Sequence, residues 1–198
     1  MSDHPSINLD IAVVIDLETI VNCFTCHVQP LFGEWEATFE ISEHRSDAQL
    51  LWQWIDHWQR TQTPVVTFNG LEFDNPILHY FWQNPDATCW DIYERAQEQI
   101  ADRTFFKTIR PSDCFAPQID LRKVWHFDNR ARMTSLKALE FNMRSDEVLE
   151  MPLPHDVPIS REDIDRVLIP YNRKDVAETK KFALISLDAV KFRIELMD

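Results

Sequence analysis

Ile11-Ala-Val-Val-Ile-Asp-Leu-Glu-Thr19 is the stretch on which the fold turns. Four of its first five residues are β-branched and all five are apolar. Such a run reads as a short strand buried on both faces, ending at Asp16. Side chains two apart on a strand share a face, so Asp16 and Glu18 point the same way. Two carboxylates held together are costly unless something neutralises them, and a divalent cation does so.

Outward from this strand the chain alternates sheet and helix signals. Residues 19–28 and 34–42 read as two further strands, with Gly33 in the turn between them. Ser46-Asp-Ala-Gln49 is a capping-box pattern, followed by Leu50, Leu51, Trp54, Ile55 and Trp58 at helical spacing. Pro64-Val-Val-Thr-Phe68 reads as a buried strand that turns at Asn69-Gly70 into a helix over Phe73 to Trp82, with Asp74 near its start. Residues 90–102 read as helix, Gln118 to Leu121 as a short strand and Thr134 to Phe141 as helix. Residues 151–158 form an extended loop, Ser160 caps a short helix, and Pro170 opens another that runs to about 188. The fold class expected is α/β: a mixed central sheet of about five strands flanked by helices, in one domain over residues 1–198.

The 198 residues include seven Trp and are 44% hydrophobic, enough for a proper core. The two glycines, Gly33 and Gly70, are too few and too far apart for a Gly-rich phosphate loop. The net charge of −13 is uneven. Residues 1–102 carry 17 acids and 3 bases, while residues 103–144 carry 4 acids and 9 bases. That basic island offers Arg122, Lys123, Arg130, Arg132 and Lys137 as contacts for an anionic strand. The polar N-terminus and the short apolar run predict a soluble, cytoplasmic protein with no membrane segment. Cys23-Phe-Thr-Cys26-His27 matches a haem-attachment string in form, but it lies in a strand-like run, and structural thiols are the expectation. Trp52, Trp54 and Trp58 serve core packing or mark a partner surface.

Three places carry carboxylates that the fold singles out. Asp16 and Glu18 stand at the first strand. Asp74 follows the strand end and turn, where open α/β sheets bind ligands. In Tyr171-Asn-Arg-Lys-Asp175, Tyr171 and Asp175 lie four apart on one helix face. Together these resemble the DEDD superfamily of 3′–5′ exonucleases, the DnaQ-like branch of the RNase H-like fold. Ile15-Asp-Leu-Glu-Thr19 looks like the first exonuclease motif. Asn69-Gly-Leu-Glu-Phe-Asp-Asn-Pro76 looks like the second and Tyr171-Asn-Arg-Lys-Asp-Val176 the third. The wording is closest to the proofreading domains of family B DNA polymerases. Pro170 stands where the histidine branch has its His, so the chain resembles the tyrosine branch. Ser135-Leu-Lys-Ala-Leu139 is similar to a helix found between the second and third motifs.

The resemblance implies two-metal phosphodiester hydrolysis at the 3′ end of single-stranded or frayed DNA, releasing nucleoside 5′-monophosphates. It implies two Mg²⁺ or Mn²⁺ ions, with Asp16 bridging, Glu18 and Asp175 completing one site and Asp74 supporting the other. Tyr171 is expected to orient the attacking water. Thr19, Ile20, Asn69 and Phe73 are expected near the terminal nucleotide, and Arg132 and Lys137 near phosphate. The alternatives are an exoribonuclease of the same fold and a silent nuclease fold used for binding. The partner expected is a single-stranded 3′ end, with a DNA polymerase or another replication or repair protein beside it.

Overall fold

The computed structural model describes residues 7–102, 108–126, 135–143 and 151–196. Five strands form one mixed sheet: β1 (Val13–Ile20), β2 (Cys23–Pro30), β3 (Ala37–Ser42), β4 (Val65–Thr67) and β5 (Gln118–Asp120). Their order is β3-β2-β1-β4-β5. The first three pair antiparallel, while β4 runs parallel to both β1 and β5. The helices are α1 (Ala48–Thr61), α2 (Asp74–Gln83), α3 (Cys89–Ala101), α4 (Leu121–His126), α5 (Leu136–Asn142), α6 (Arg161–Asp163), α7 (Ile169–Ile185) and α8 (Leu187–Glu195). The α/β expectation therefore holds.

Strand β1 sorts the two layers. Val13, Ile15 and Leu17 pack into a core with α1, α2 and α3. Val14 belongs to the opposite core, with Val176, Phe182 and Ala183 of α7. A period of two then turns Asp16 and Glu18 toward the α7 face. The strand does not end at Asp16. It pairs with β2 from Val13 to Ile20, so both acids lie inside the ladder. The connection is a two-residue turn at Val21 and Asn22, which has neither Gly nor Pro to announce it. It is held from outside: the Asn22 side chain bonds both N–H and carbonyl of Ile159, and the Val21 N–H donates to the His155 carbonyl.

On α1, Leu51, Ile55 and Trp58 are buried at i, i+4 and i+7. The capping box expected at Ser46 is absent. The N-cap is Asp47, with no side-chain cap bond, and Ser46 bridges to Ile41 instead. Asp47 accepts the Glu40 N–H at 2.9 Å and pairs with Arg45 at 2.8 Å, tying the helix start to β3. Reciprocal capping boxes do form at Thr88–Asp91 of α3 and, as expected, at Ser160–Asp163 of α6.

Pro170 does fall in the first turn of a helix, but the chain does not stop before it. Residues Ile164–Leu168 are π-helical and join α6 to α7 in unbroken right-handed backbone. The Ile169 N–H reaches back to the Ile164 carbonyl. This widening admits a ring that would clash inside a regular helix. The helix expected to run to 188 breaks at Ser186, whose hydroxyl accepts the Trp125 indole N–H at 2.8 Å.

Asp47→Ala should lower unfolding free energy by about 1–2 kcal/mol in urea titration, by loss of charge-assisted bonds. Ser46→Ala should change it by less than about 0.5 kcal/mol. Equal costs would restore Ser46 as the cap.

Candidate metal-binding acidic site

The acids come from both ends of the chain. Strand β1 supplies Asp16 and Glu18, and α7 supplies Asp175 from across the sheet face. One carboxylate oxygen from each lies within 4.8 Å of the other two, the one such cluster of potential ligands among the described residues. Asp16 and Glu18 are half-buried and Asp175 is buried. The Asp175 carboxylate sits over β1 because α7 packs on β1 and β2 through Val176 and its neighbours.

Asp74 is outside that tight set but beside it. It opens α2, is buried, and accepts the Leu17 N–H at 3.1 Å. It therefore reaches the β1 backbone between the two acids. Asn69 stands at φ +65° in the turn before α2. Gly70 follows because a Cβ there would lie 2.2 Å from Thr67 Oγ1.

Burial raises every one of these carboxyl pKa values, and neighbouring acids raise those of Asp16, Glu18 and Asp74 further. Asp16 is pushed well up by burial, then by Asp74, Glu18 and Asp175. Glu18 rises to about 8, from burial first and then Asp175 and Asp74. Asp74 rises to about 7, chiefly from burial, against its backbone hydrogen bonds. Asp175 also rises with burial, opposed by hydrogen bonds from Lys137 and Tyr171. Negative charge crowded in this way is a set of hard oxygen donors short of a cation, which suits Mg²⁺ or Mn²⁺. Lys137 already stands in part in that role. Its Nζ lies 2.6 Å from Asp175 and 3.1 Å from Glu140, and 4.7 Å from the Tyr171 ring centroid.

Tyr171, one turn before Asp175, has its phenol pushed above the ordinary value by burial and then by the Asp175 charge. It stays protonated at neutral pH and serves as a hydroxyl donor.

The remaining site residues fare unequally. Thr19 is nearly buried, and its carbonyl stands 3.4 Å from His155 Nδ1. Ile20 is fully buried in a core with Cys23, Ile159, Ile164 and Leu168, so its side chain cannot meet a ligand. The strand continues through it, and the α6–α7 segment covers it. Asn69 is half-buried, and its side chain accepts from Arg122. Phe73 packs partly against the α1–α3 core. Lys137 lies at the acids, bonded to Asp175. Arg132 and Arg130 lie outside the described residues. Arg122 and Lys123 both pair with Glu72, at 3.8 and 3.0 Å, so their charges are partly offset locally.

Two positioning residues escaped the sequence reading. Asn172 donates to Asp16 Oδ2 at 2.8 Å and to the Asp16 carbonyl at 3.0 Å, and accepts from Thr25 at 3.2 Å. It locks the third motif to the first. Asp120, at the end of β5, accepts the N–H groups of Asn69, Leu71 and Arg122. Its only sequence signal is a lone acid at a strand end. For Asn172 the signal is a poor helix former in a helix interior.

The haem-string reading is excluded by geometry. Cys23 and Cys26 are fully buried on β2 in two different cores, and His27 bonds Thr38 at 2.7 Å. Among the described residues no helix is long and apolar enough to cross a membrane. No family model matches the chain, and no curated protein matches it.

In EDTA, melting temperature should fall as pH rises between about 6.5 and 8.5. Folded Glu18 and Asp74 hold protons, through raised values of about 8 and 7, that the unfolded chain has already released. Stability is thus lost as pH climbs toward the folded values. Glu18→Gln should flatten the slope, and Mn²⁺ should raise the melting temperature most at the alkaline end. The window avoids His27, whose pKa burial lowers to about 4 and whose stabilisation is lost on acidification instead.

Proposed function

We propose that the protein is a metal-dependent 3′–5′ exonuclease of the DEDD type, acting on single-stranded or frayed DNA. The carrying observation is the meeting of Asp16, Glu18 and Asp175, with their oxygens within 4.8 Å, beside Tyr171 and Asp74. The motif resemblance adds reaction and polarity to that geometry.

Asp16, Glu18 and Asp175 would hold one Mg²⁺ or Mn²⁺, and Asp16 with Asp74 would hold a second. Such a pair supplies charge neutralisation at the phosphodiester and a nucleophile at neutral pH. The remaining work belongs to the chain. Asn172 fixes Asp16 so that its carboxylate need not reorganise. The Leu17 N–H holds Asp74. Tyr171 keeps its proton and orients water by donating and accepting hydrogen bonds, rather than acting as the base. Lys137, whose Nζ bonds Asp175 at 2.6 Å, would be available to a phosphate oxygen if that carboxylate held a metal instead. Water oxygen adds to phosphorus, the P–O3′ bond breaks, and a nucleoside 5′-monophosphate leaves with a new 3′-hydroxyl on the strand. The partner is a 3′ end, delivered by a DNA polymerase or other repair protein or met free in solution.

Tests of this reading use a 5′-labelled single strand in Mg²⁺ or Mn²⁺. A ladder shortening from the 3′ end is expected, and none in EDTA. Asp16→Ala and Asp175→Ala should abolish it. Tyr171→Phe should slow it about 10–100-fold while metal binding by calorimetry persists. Faster digestion of RNA than DNA would move the assignment to an exoribonuclease. Tight metal binding with no cleavage of any strand would mark a binding module.

A further inference from the structure

A second feature lies on the other face of the sheet. Ile11, Trp35, Trp54, His57, Trp58 and Thr63 line a hollow of about 420 Å³ at the start of β1. Trp35 and Ile11 are 47% and 44% exposed, so the mouth is open. Adjacent rings stand nearly perpendicular: Trp35 and Trp54 meet at 71° with centroids 5.6 Å apart, and Trp54 and Trp58 at 86° and 6.0 Å. Indole faces therefore look in more than one direction, and an indole face attracts a cation. Trp52 differs, because its indole N–H is taken by the Trp82 carbonyl at 3.0 Å.

The unpaired charge around its mouth includes acids. The lining has no Lys or Arg. Three cations stand nearby: Arg60 pairs with Asp56 at 2.9 Å, Arg173 pairs with Glu36, and Lys180 donates to the Gly33 carbonyl at 2.7 Å. Glu34 and Asp10, the neighbours of Trp35 and Ile11, are exposed and form no ion pair among the described residues. Such a field draws a cationic ligand and repels a phosphate chain. A guanidinium fits the hollow doubly, because its plane stacks on indole and its stem covers apolar surface.

We propose that this tryptophan hollow docks an arginine-bearing segment of a partner protein. Val13 lines it on the α1 face of β1, while Asp16 and Glu18 lie farther along and on the opposite face. Docking therefore leaves the acids free. The assignment does not rest on the exonuclease reading.

Indole N–H resonances of the full chain are followed by NMR during titration with a short capped peptide of Gly, Leu and Arg. Matched peptides carry Gln or Glu in place of Arg, and a thymidine oligonucleotide is the nucleic-acid arm. Saturable shifts of Trp35 and Trp54 are expected with the Arg peptide alone, weakening as salt is raised. Trp35→Ala should weaken binding about tenfold. Glu34→Lys, which keeps every ring, should weaken it too. Metal binding at the acids should be unchanged in both variants. Equal binding of the Gln peptide would overturn the cationic occupant, and preference for the oligonucleotide would overturn the protein partner. Shifts insensitive to both substitutions would remove the site.

Discussion

Mutual repulsion among four carboxylates is the constraint around which this molecule is arranged. Burial holds the pKa values of Asp16, Glu18, Asp74 and Asp175 up, and like charge adds to it at the first three. An isolated fold gains nothing from such a cluster. The chain keeps it by spending polar contacts on three of the four: Asn172 on Asp16, the Leu17 N–H on Asp74, and Lys137 and Tyr171 on Asp175. All of those contacts but the one from Tyr171, which lies on the same helix as Asp175, join segments far apart in sequence. The acidic site is thus also a point at which the tertiary structure is stapled.

The sheet makes this possible by giving β1 two different faces. Its odd residues fill the core under α1, α2 and α3, while its even residues face α7. Helix α7 sits over them, and the π-helical turns before it admit Pro170 without ending the helix. The same division puts the tryptophan hollow on the side away from the acids. Overall charge then has two local meanings. Around the carboxylates it gathers oxygen donors that could hold a metal ion, and around Trp35 it is the basis of the proposed cationic partner.

Much of the architecture was legible because its signals are local. The β-branched run before Asp16, the turn at Asn69-Gly70, and the spacing of Leu51, Ile55 and Trp58 each specify an element from a few neighbours. Boundaries failed where pairing rather than propensity decides. β1 runs on to Ile20 because β2 pairs with it throughout, although no breaker marks the Val21–Asn22 turn. Ser46 has the right chemistry for a cap, but Asp47 is drawn to β3 and takes the position. Ile20 looked available beside the acids, yet the α6–α7 segment covers it.

By itself the sequence determined which groups exist and their local phase. Asp16 and Glu18 share a strand face, Tyr171 and Asp175 share a helix face, and two scattered glycines preclude a phosphate loop. Those facts follow from backbone periodicity and need only near neighbours. Tertiary structure alone decided that the faces meet and which groups brace them. Asn172 and Lys137 became parts of the site because α7 and α5 dock where they do. The paired state of Arg122 and Lys123 was set the same way, by Glu72 from another loop. Side-chain distance across a sheet depends on packing between remote segments, and no local pattern encodes that.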